Sequence, residues 1–200
     1  MKRLYLLGFI FIVLPVYQGH CYNLTYAEQL LELYHTQLYQ YPADVAENIG
    51  WVEQSLKADF ANPLWAHAVI ETPEEWKRYR YLFRMRLYLL LVDSYLDWAS
   101  QYTKKHAYFY NYPWKEENLD SLKTAENLFD IALIYWEQAE FWSKKAWQYY
   151  YSNLEEIQYW EDLNYRIETG DLDYADIIRE HRARLEAVRK KFQEMDSGTY

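Results

Sequence analysis

The feature that most constrains this chain is the stretch 72–151, which contains no glycine and only two prolines. Thr72 and Glu75 have the spacing of a capping box, and Pro73 occupies the first helical position, where its missing N–H is not needed. Nothing after Pro73 forces a break before about His106. The sequence therefore predicts a first long helix from Thr72 to about His106.

A second long helix is predicted after an aromatic connection, residues 107–114, and continues to about Tyr151. Small and large apolar side chains recur along it at steps of three and four, which is typical of an amphipathic helix. The predicted inward positions are Leu119, Leu122, Ala125, Phe129, Ala132, Trp136, Ala139, Trp142, Ala146 and Tyr150. The first helix is apolar on every face over residues 87–92, so we predict that the two form an antiparallel pair at the centre of the fold.

The composition favours an all-α fold. The 200 residues include only 5 glycines and 5 prolines, too few for the many turns of an all-β chain, and the length suits one domain. Shorter helices are predicted on both sides of the pair, over residues 25–41, 44–60, 62–70, 152–168 and 173–195. The helix over 25–41 is predicted to begin at a capping box of Thr25 and Glu28 and to turn Leu38 inward. Gly170 is predicted to end the helix over 152–168, and Asp173 to cap the last helix. We therefore predict a single α-helical domain over residues 22–200, folded as an elongated helical bundle.

Residues 1–21 are typical of a secretory signal peptide. Two basic residues precede an apolar run over residues 4–16, and a short polar stretch ends at Cys21. The alternatives are an uncleaved membrane anchor and a lipoprotein with lipid on Cys21, although Gln18 and His20 do not fit the usual lipidation motif. Cys21 is the only cysteine, so no disulfide within the chain is predicted. We expect an exported, periplasmic bacterial protein that contacts a membrane only through this segment.

The last predicted helix carries a heptad seam. Its apolar positions alternate at steps of four and three, at Tyr174, Ile178, His181, Leu185, Val188, Phe192 and Met195. Such a seam packs on a helix of its own bundle or pairs with another chain. For the second alternative, the candidate partner-binding residues are Ile178, Leu185, Val188 and Phe192.

Two groups of basic residues stand out in a chain whose formal net charge is −9. One group lies on a single face of the first long helix, at Lys77, Arg80 and Arg84. The other lies in the last helix, at Arg179, Arg182, Arg189, Lys190 and Lys191. Each group either docks an acidic partner or pairs with acidic helices of the same bundle. The acidic balance disfavours a nucleic-acid partner.

The aromatic connection supplies a second kind of candidate site. Tyr110, Tyr112 and Trp114 would line a pocket for a glycan or a peptide, because binding pockets are rich in aromatic side chains. This interpretation requires a concave surface with polar groups that converge on it.

No motif in the sequence indicates catalysis or a cofactor. Glu32 and His35 have the Glu-x-x-His spacing of di-iron helical bundles, but such sites need a second copy, which this sequence lacks. Neighbouring carboxylates such as Glu155 and Glu156 diverge on a helix, which favours a surface position over an acid–base pair. We therefore expect no enzyme activity, no cofactor and no metal site.

One short motif resembles a known repeat. Ala125, Phe129 and Ala132 match the A-x3-F-x2-A signature of the second helix of a tetratricopeptide repeat. The chain thus resembles tetratricopeptide-like helical proteins over one half-repeat. Its tyrosine- and tryptophan-rich helices are also similar to exported helical proteins of spirochaetes, some of which build the periplasmic collar of the flagellar motor. The resemblance implies a role in protein–protein interaction.

These observations lead to two functional hypotheses. The first is a non-enzymatic scaffold or adaptor in the bacterial cell envelope, which binds another protein or a second copy of itself. It predicts a contiguous patch of exposed aromatic side chains, since such patches mark partner sites. The second hypothesis is a periplasmic module that binds a glycan or a peptide in an aromatic-lined pocket.

Overall fold

The computed structural model describes residues 24–104 and 112–198, so the predicted signal segment and Tyr110 lie outside the described residues. Within those ranges the chain forms six α-helices and no β-strand, which confirms the all-α bundle. The helices are α1 (Ala27–Gln40), α2 (Val45–Lys57), α3 (Pro73–Ser100), α4 (Lys115–Trp147), α5 (Gln158–Thr169) and α6 (Tyr174–Gln193). Short 3-10 turns occur at Pro63–Trp65, Tyr112–Trp114 and Glu155–Ile157.

The helix α3 begins as predicted and ends earlier than predicted. The Thr72 hydroxyl accepts the Glu75 N–H at 3.2 Å, and the Glu75 carboxylate accepts the Thr72 N–H at 3.0 Å. At the other end, the hydroxyls of Ser100 and Thr103 donate to backbone carbonyls of the last turn, and Lys104 takes a φ of 55°. Such hydroxyl bonds compete with the helix ladder, so this helix ends without a glycine or a proline.

The helices α3 and α4 form the predicted antiparallel pair. Residue numbers rise along one helix as they fall along the other in four contacts, namely Arg78 with Ala146, Tyr81 with Trp142, Tyr88 with Tyr135, and Tyr102 with Ser121. The apolar segment 87–92 is buried except for the partly exposed Tyr88. With 33 residues, α4 is a rod of about 50 Å.

The predicted inward stripe of α4 is confirmed from Leu122 to Ala139, where every position is buried. Leu119 and Trp142 are partly buried, and Ala146 is fully buried. The inward assignment of Tyr150 was wrong, because α4 ends at Trp147 and leaves that tyrosine 65% exposed.

The segment before α3 contains the largest departure from the predicted helices. The predicted helix over residues 62–70 is a single 3-10 turn, Pro63–Trp65, followed by Ala66 in an extended conformation. Leu64 and Trp65 are 89% and 77% exposed, so this turn has no apolar face against the core that would stabilise a longer helix.

Of the two N-terminal helices, α2 packs on α3 and α1 packs on α2. The start of α1 is fixed by Gln29, whose side chain accepts the N–H groups of Thr25 and Tyr26, rather than by the predicted box at Thr25 and Glu28. Glu28 is instead buried and accepts the Ala61 N–H at 2.9 Å. The predicted inward position of Leu38 was wrong, since this side chain is 37% exposed near the end of α1.

The C-terminal helices cover α4. Gly170 ends α5 with a φ of 80°, a left-handed conformation that glycine adopts without strain, as predicted. The Asp173 carboxylate then accepts the N–H groups of Ala175 and Asp176 and caps α6. Because α5 lies on the last part of α4 and α6 on the first part, the two halves of α4 have different neighbours.

Candidate interaction surface

Eight aromatic side chains form a continuous row at the α4–α5 end of the bundle. We call this row the aromatic ridge; in order of contact it comprises Phe141, Trp142, Tyr81, Tyr149, Tyr151, Tyr150, Trp147 and Tyr165. Centroids of successive rings lie between 5.1 and 6.4 Å apart, the range of aromatic pairs in contact. The ridge therefore joins residues of α3, α4, the following turn and α5 in one surface.

The ridge is largely accessible to solvent. Tyr150, Tyr151 and Tyr165 are 65%, 66% and 56% exposed, and Phe141 is 47% exposed. The turn after α4 produces this exposure, because the N–H groups of Tyr149 and Tyr150 still donate to helical carbonyls while the chain leaves the helix axis. Large exposed aromatic patches are uncommon on soluble monomers and mark interaction sites.

A buried ion pair holds the elements beneath the ridge together. Arg78 donates from Nε to Glu161 at 2.8 Å, makes a second bond to the same carboxylate from Nη2, and donates from Nη1 to the Ala146 carbonyl at 2.8 Å. Glu161 also accepts the Leu154 N–H at 3.3 Å. Both charged side chains are almost completely buried. These bonds tie α3, the end of α4 and α5 into one rigid support.

A second set of buried hydrogen bonds joins α4 to α5. Asn164 donates to the Ser143 carbonyl at 3.0 Å and to its hydroxyl at 2.8 Å, and that hydroxyl donates to Glu168 at 2.5 Å. Ser143 and Asn164 are fully buried, so this polar cluster fixes the register of the two helices.

The predicted basic group on α3 borders the ridge; we call Lys77, Arg80 and Arg84 the basic patch. Its cations lie over aromatic rings: Arg84 is 4.6 Å from the centre of Trp142, Arg80 is 5.5 Å from Trp76, and Lys77 is 5.9 Å from Tyr149. The structure thus brings the three predicted residues to one face, as their spacing indicated.

The basic group on α6 has a different environment. Arg182 pairs with Asp130, Arg189 with Glu126 and Glu186, Arg179 with Asp176, and Lys190 with Glu194. The carboxylates beside Arg189, with Glu126 foremost, raise the pKa of its guanidinium. Most of this group is therefore neutralised by acidic residues of the same chain, which was one of the two alternatives.

The heptad seam of α6 packs within the chain. Ile178, Leu185 and Phe192 are buried in a cluster with Phe129 of α4, and Val188 packs partly buried at its edge. Of the two alternatives for the seam, the structure contains the one in which it covers its own bundle. These four candidate residues consequently lie against α4.

The aromatic connection is only partly described. Tyr112 and Trp114 are 43% and 45% exposed at the start of α4, and Tyr110 lies outside the described residues. Neither Tyr112 nor Trp114 lines the cavity described next.

A cavity of about 410 Å³ lies between the start of α1 and the 3-10 turn before α3. Its lining combines two rings with polar side chains, and comprises Tyr26, Glu28, Gln29, Glu32, Ala61 and Trp65. This mixture of aromatic walls and hydrogen-bonding groups is what the sequence led us to expect at the connection, but it occurs elsewhere.

No group of three or more histidine, cysteine, aspartate or glutamate side chains within residues 24–104 and 112–198 is placed to hold a metal ion. Among the helices of those same ranges, none has both the length and the apolar character needed to cross a bilayer.

Sequence reasoning missed most of the ridge. Trp142 and Tyr150 were assigned to the inward stripe, and the other ridge residues were not singled out. One signal was present, namely three consecutive tyrosines at 149–151, which cannot all face the same side of a helix. Such a run at a helix end indicates exposed rings.

Comparison with known protein families matched residues 74–195 to one family, described as a domain of unknown function, DUF8513. The match covers more than half of the chain. The chain belongs to the DUF8513 family. Comparisons with curated proteins and with solved structures gave no match.

The DUF8513 region begins one residue inside α3 and ends just after α6. It therefore contains the aromatic ridge, the basic patch and the heptad seam. The cavity lined by Glu28 and Trp65 lies before it. The ridge and the cavity are thus separable features, one inside the family domain and one outside.

Proposed function

We propose that this protein is a non-enzymatic helical scaffold or adaptor that binds a protein partner through the aromatic ridge. The supporting observation is the contiguous exposure of the ridge, which is the feature that the scaffold hypothesis predicted. Tyrosine and tryptophan are enriched at protein interfaces because they bury much area at little conformational cost, and they dominate binding energy there. The rigid support beneath the ridge would keep the surface preformed.

We further propose that the protein acts in the periplasm of a bacterium, in a cell-envelope assembly such as the spirochaete flagellar collar. This part of the proposal rests on residues 1–21 and on the resemblance of composition. Mass spectrometry of the N-terminus from an envelope fraction tests it. A mature chain that begins after Cys21 supports export with cleavage, lipid on that cysteine supports the lipoprotein alternative, and an intact Met1 in the cytoplasmic fraction contradicts export.

The scaffold proposal is tested by photocrosslinking in cells. We would place p-benzoylphenylalanine at Tyr151 on the ridge and, as a matched control, at Tyr39, which is 89% exposed on α1. We expect one discrete protein adduct from position 151 and none of that mass from position 39. Unlabelled wild-type protein should compete with the adduct.

Two double variants then distinguish binding at the ridge from nonspecific adhesion through exposed aromatic side chains. Tyr150→Ser with Tyr151→Ser removes two exposed rings of the ridge, and Tyr39→Ser with Tyr41→Ser removes two exposed rings elsewhere. We expect the first pair to abolish competition for the adduct and the second pair to compete like wild type. Equal behaviour of the two pairs would contradict a partner site at the ridge.

A second candidate function, a ligand-binding module, is supported by the cavity at Glu28 and Trp65. An aromatic wall beside carboxylate and amide groups suits a sugar ring, which stacks on the aromatic face and donates its hydroxyls to the oxygens. Titration with N-acetylglucosamine oligosaccharides, followed by tryptophan fluorescence, tests it. Quenching that is lost in Trp65→Ala and kept in Trp114→Ala supports the module, and no quenching contradicts it.

A further inference from the structure

The arginines that the structure describes differ in what their guanidinium groups contact. Five of them pair with carboxylates: Arg78, Arg179, Arg182, Arg184 and Arg189. Arg80 and Arg84 have no carboxylate within 4.0 Å in the part of the chain that the structure describes. Carboxylates are not scarce, since the chain has 30 acidic residues against 21 basic ones. Arg86 and Arg166 likewise lack such a carboxylate among the described residues, and Arg86 lies 5.2 Å from the centre of Tyr159. Arg80 and Arg84 are the pair that shares one face of α3 beside the ridge.

The two arginines are instead held by aromatic rings. Arg84 lies over both Trp142, at 4.6 Å, and Phe60, at 5.8 Å, and Arg80 lies over Trp76 at 5.5 Å. Stacking engages the flat face of a guanidinium, whereas its N–H donors lie along its edges. The Nε of Arg80 is buried without a hydrogen-bond partner. These side chains are thus positioned by their neighbours while their fork of donors remains unused by acidic groups of the chain.

We propose that Arg80 and Arg84, assisted by Lys77, bind carboxylates of an acidic segment of the partner protein. This inference rests on the proposed function, because it names the chemistry of the partner that occupies the ridge. Arginine forks match carboxylates bidentately, and such charge-assisted bonds are strong and directional. Lys77 already lies 3.9 Å from Glu74, so it contributes charge near the site rather than a free donor set.

The spacing of the patch defines the segment further. Four residues along a helix correspond to about 6 Å, so the Cα atoms of Arg80 and Arg84 lie about that far apart along α3. Carboxylates four residues apart on a partner helix, or two apart on an extended strand, have a similar spacing. The adjoining ridge would bury apolar side chains of the same segment. A protein segment supplies both the carboxylates and the apolar side chains, whereas a phosphate polymer supplies charge alone.

The test uses a defined probe, because the partner is not identified. We would measure fluorescence anisotropy with a labelled heptapeptide that alternates glutamate with leucine, and with a matched peptide in which glutamine replaces glutamate. We expect the full chain to bind the glutamate peptide at least about tenfold more tightly, since each charge-assisted hydrogen bond is worth roughly that factor. The preference should shrink as salt is raised. Equal affinity for both peptides overturns the inference.

Matched variants assign the effect to the two arginines. Arg80→Gln with Arg84→Gln, and Arg179→Gln with Arg184→Gln, each remove two positive charges, but the second pair lies on α6 and is already paired with carboxylates. We expect a loss of at least about tenfold in affinity for the first pair and less than about threefold for the second. Circular dichroism checks that both variants remain folded. An equal loss in both pairs shows a general charge effect and overturns the inference.

Three further outcomes are distinguishable. If vesicles rich in phosphatidylglycerol bind through Arg80 and Arg84 while the glutamate peptide does not, the partner is a membrane and the inference fails. If the ridge adduct at Tyr151 forms equally in the Arg80→Gln, Arg84→Gln variant, the inference fails and the scaffold proposal stands. If no adduct forms but the peptide still requires both arginines, the scaffold proposal fails and the acidic-segment site stands.

Discussion

The two halves of α4 lie among similar kinds of residues, but the first half is covered by another helix and the last half carries exposed rings. Along the first half, α6 covers the helix, and Phe129, Ile178 and Phe192 are buried in a closed seam. Salt bridges at its border join Arg182 to Asp130 and Arg189 to Glu126. Along the last half, rings of the ridge are exposed and Arg84 stacks on Trp142.

The comparison distinguishes arginines that stabilise the fold through ion pairs from arginines that remain available to a partner. Both ends combine aromatic residues with arginines, so composition does not distinguish them. On α6 the guanidinium groups satisfy carboxylates of the same chain, which closes the seam. On α3 Arg80 and Arg84 use their faces on rings and leave their edges unused by carboxylates of the described residues. The second arrangement is the one suited to a partner.

The largest effect is expected when one phenylalanine is truncated in each half. Phe192 is 0% exposed in the seam, and Phe141 is 47% exposed on the ridge. Phe192→Ala should lower the free energy of unfolding by about 3–5 kcal/mol, because it removes buried area and leaves a cavity. Phe141→Ala should change it by less than about 1 kcal/mol. Urea denaturation of both variants measures the difference, and similar losses would show that the ridge is part of the core.

A smaller effect is expected from the salt bridges that border the seam. Arg189 is paired with Glu126 across the α4–α6 contact, whereas Arg179 is paired with Asp176 within α6. Arg189→Gln should lower the free energy of unfolding by up to about 1 kcal/mol, and less in high salt. The matched control Arg179→Gln should lower it by no more than about 0.5 kcal/mol. Urea denaturation at two salt concentrations is the measurement. A larger loss of unfolding free energy in the control would show that Arg189 does not stabilise the α4–α6 contact.

The long helices were predictable because their signals are local. The box at Thr72 and Glu75, the stripe of α4 and the caps at Gly170 and Asp173 each depend on residues a few positions apart. Periodicity also gave the buried positions of α6. What periodicity left open was the surface that these positions contact, since a heptad seam suits a neighbouring helix of the same chain or of another one.

The candidate site was predictable only in part, because it is made by contacts between distant residues. The spacing of Arg80 and Arg84 placed them on one face, but the ring under Arg84 belongs to Trp142, far along the sequence. The support from Arg78 to Glu161 likewise joins residues 83 positions apart. Nothing local to either residue marks such a pair. The tyrosines at 149–151 were the one local sign of exposed rings.

The smallest expected effect concerns pH and the contact that joins α6 to α3. The Tyr174 hydroxyl donates to Asp93, and burial raises the pKa of Asp93 above its ordinary value of 3.8, while the bond from Tyr174 and the nearby charge of Arg86 lower it. The folded chain thus holds this proton more tightly than the unfolded chain, so its stability falls as pH rises from 3.8 to the raised pKa.

Two variants test this linkage in opposite ways. Asp93→Asn removes the titrating group, keeps an oxygen that accepts the Tyr174 hydroxyl, and should flatten this part of the fall in stability. Tyr174→Phe removes the bond that lowers the pKa of Asp93, so the fall should extend to higher pH. Urea denaturation between about pH 3.5 and 7 measures both curves, and each change should be smaller than that of Phe192→Ala. If the two variants and the wild type gave parallel curves, ionisation of Asp93 would not be linked to folding.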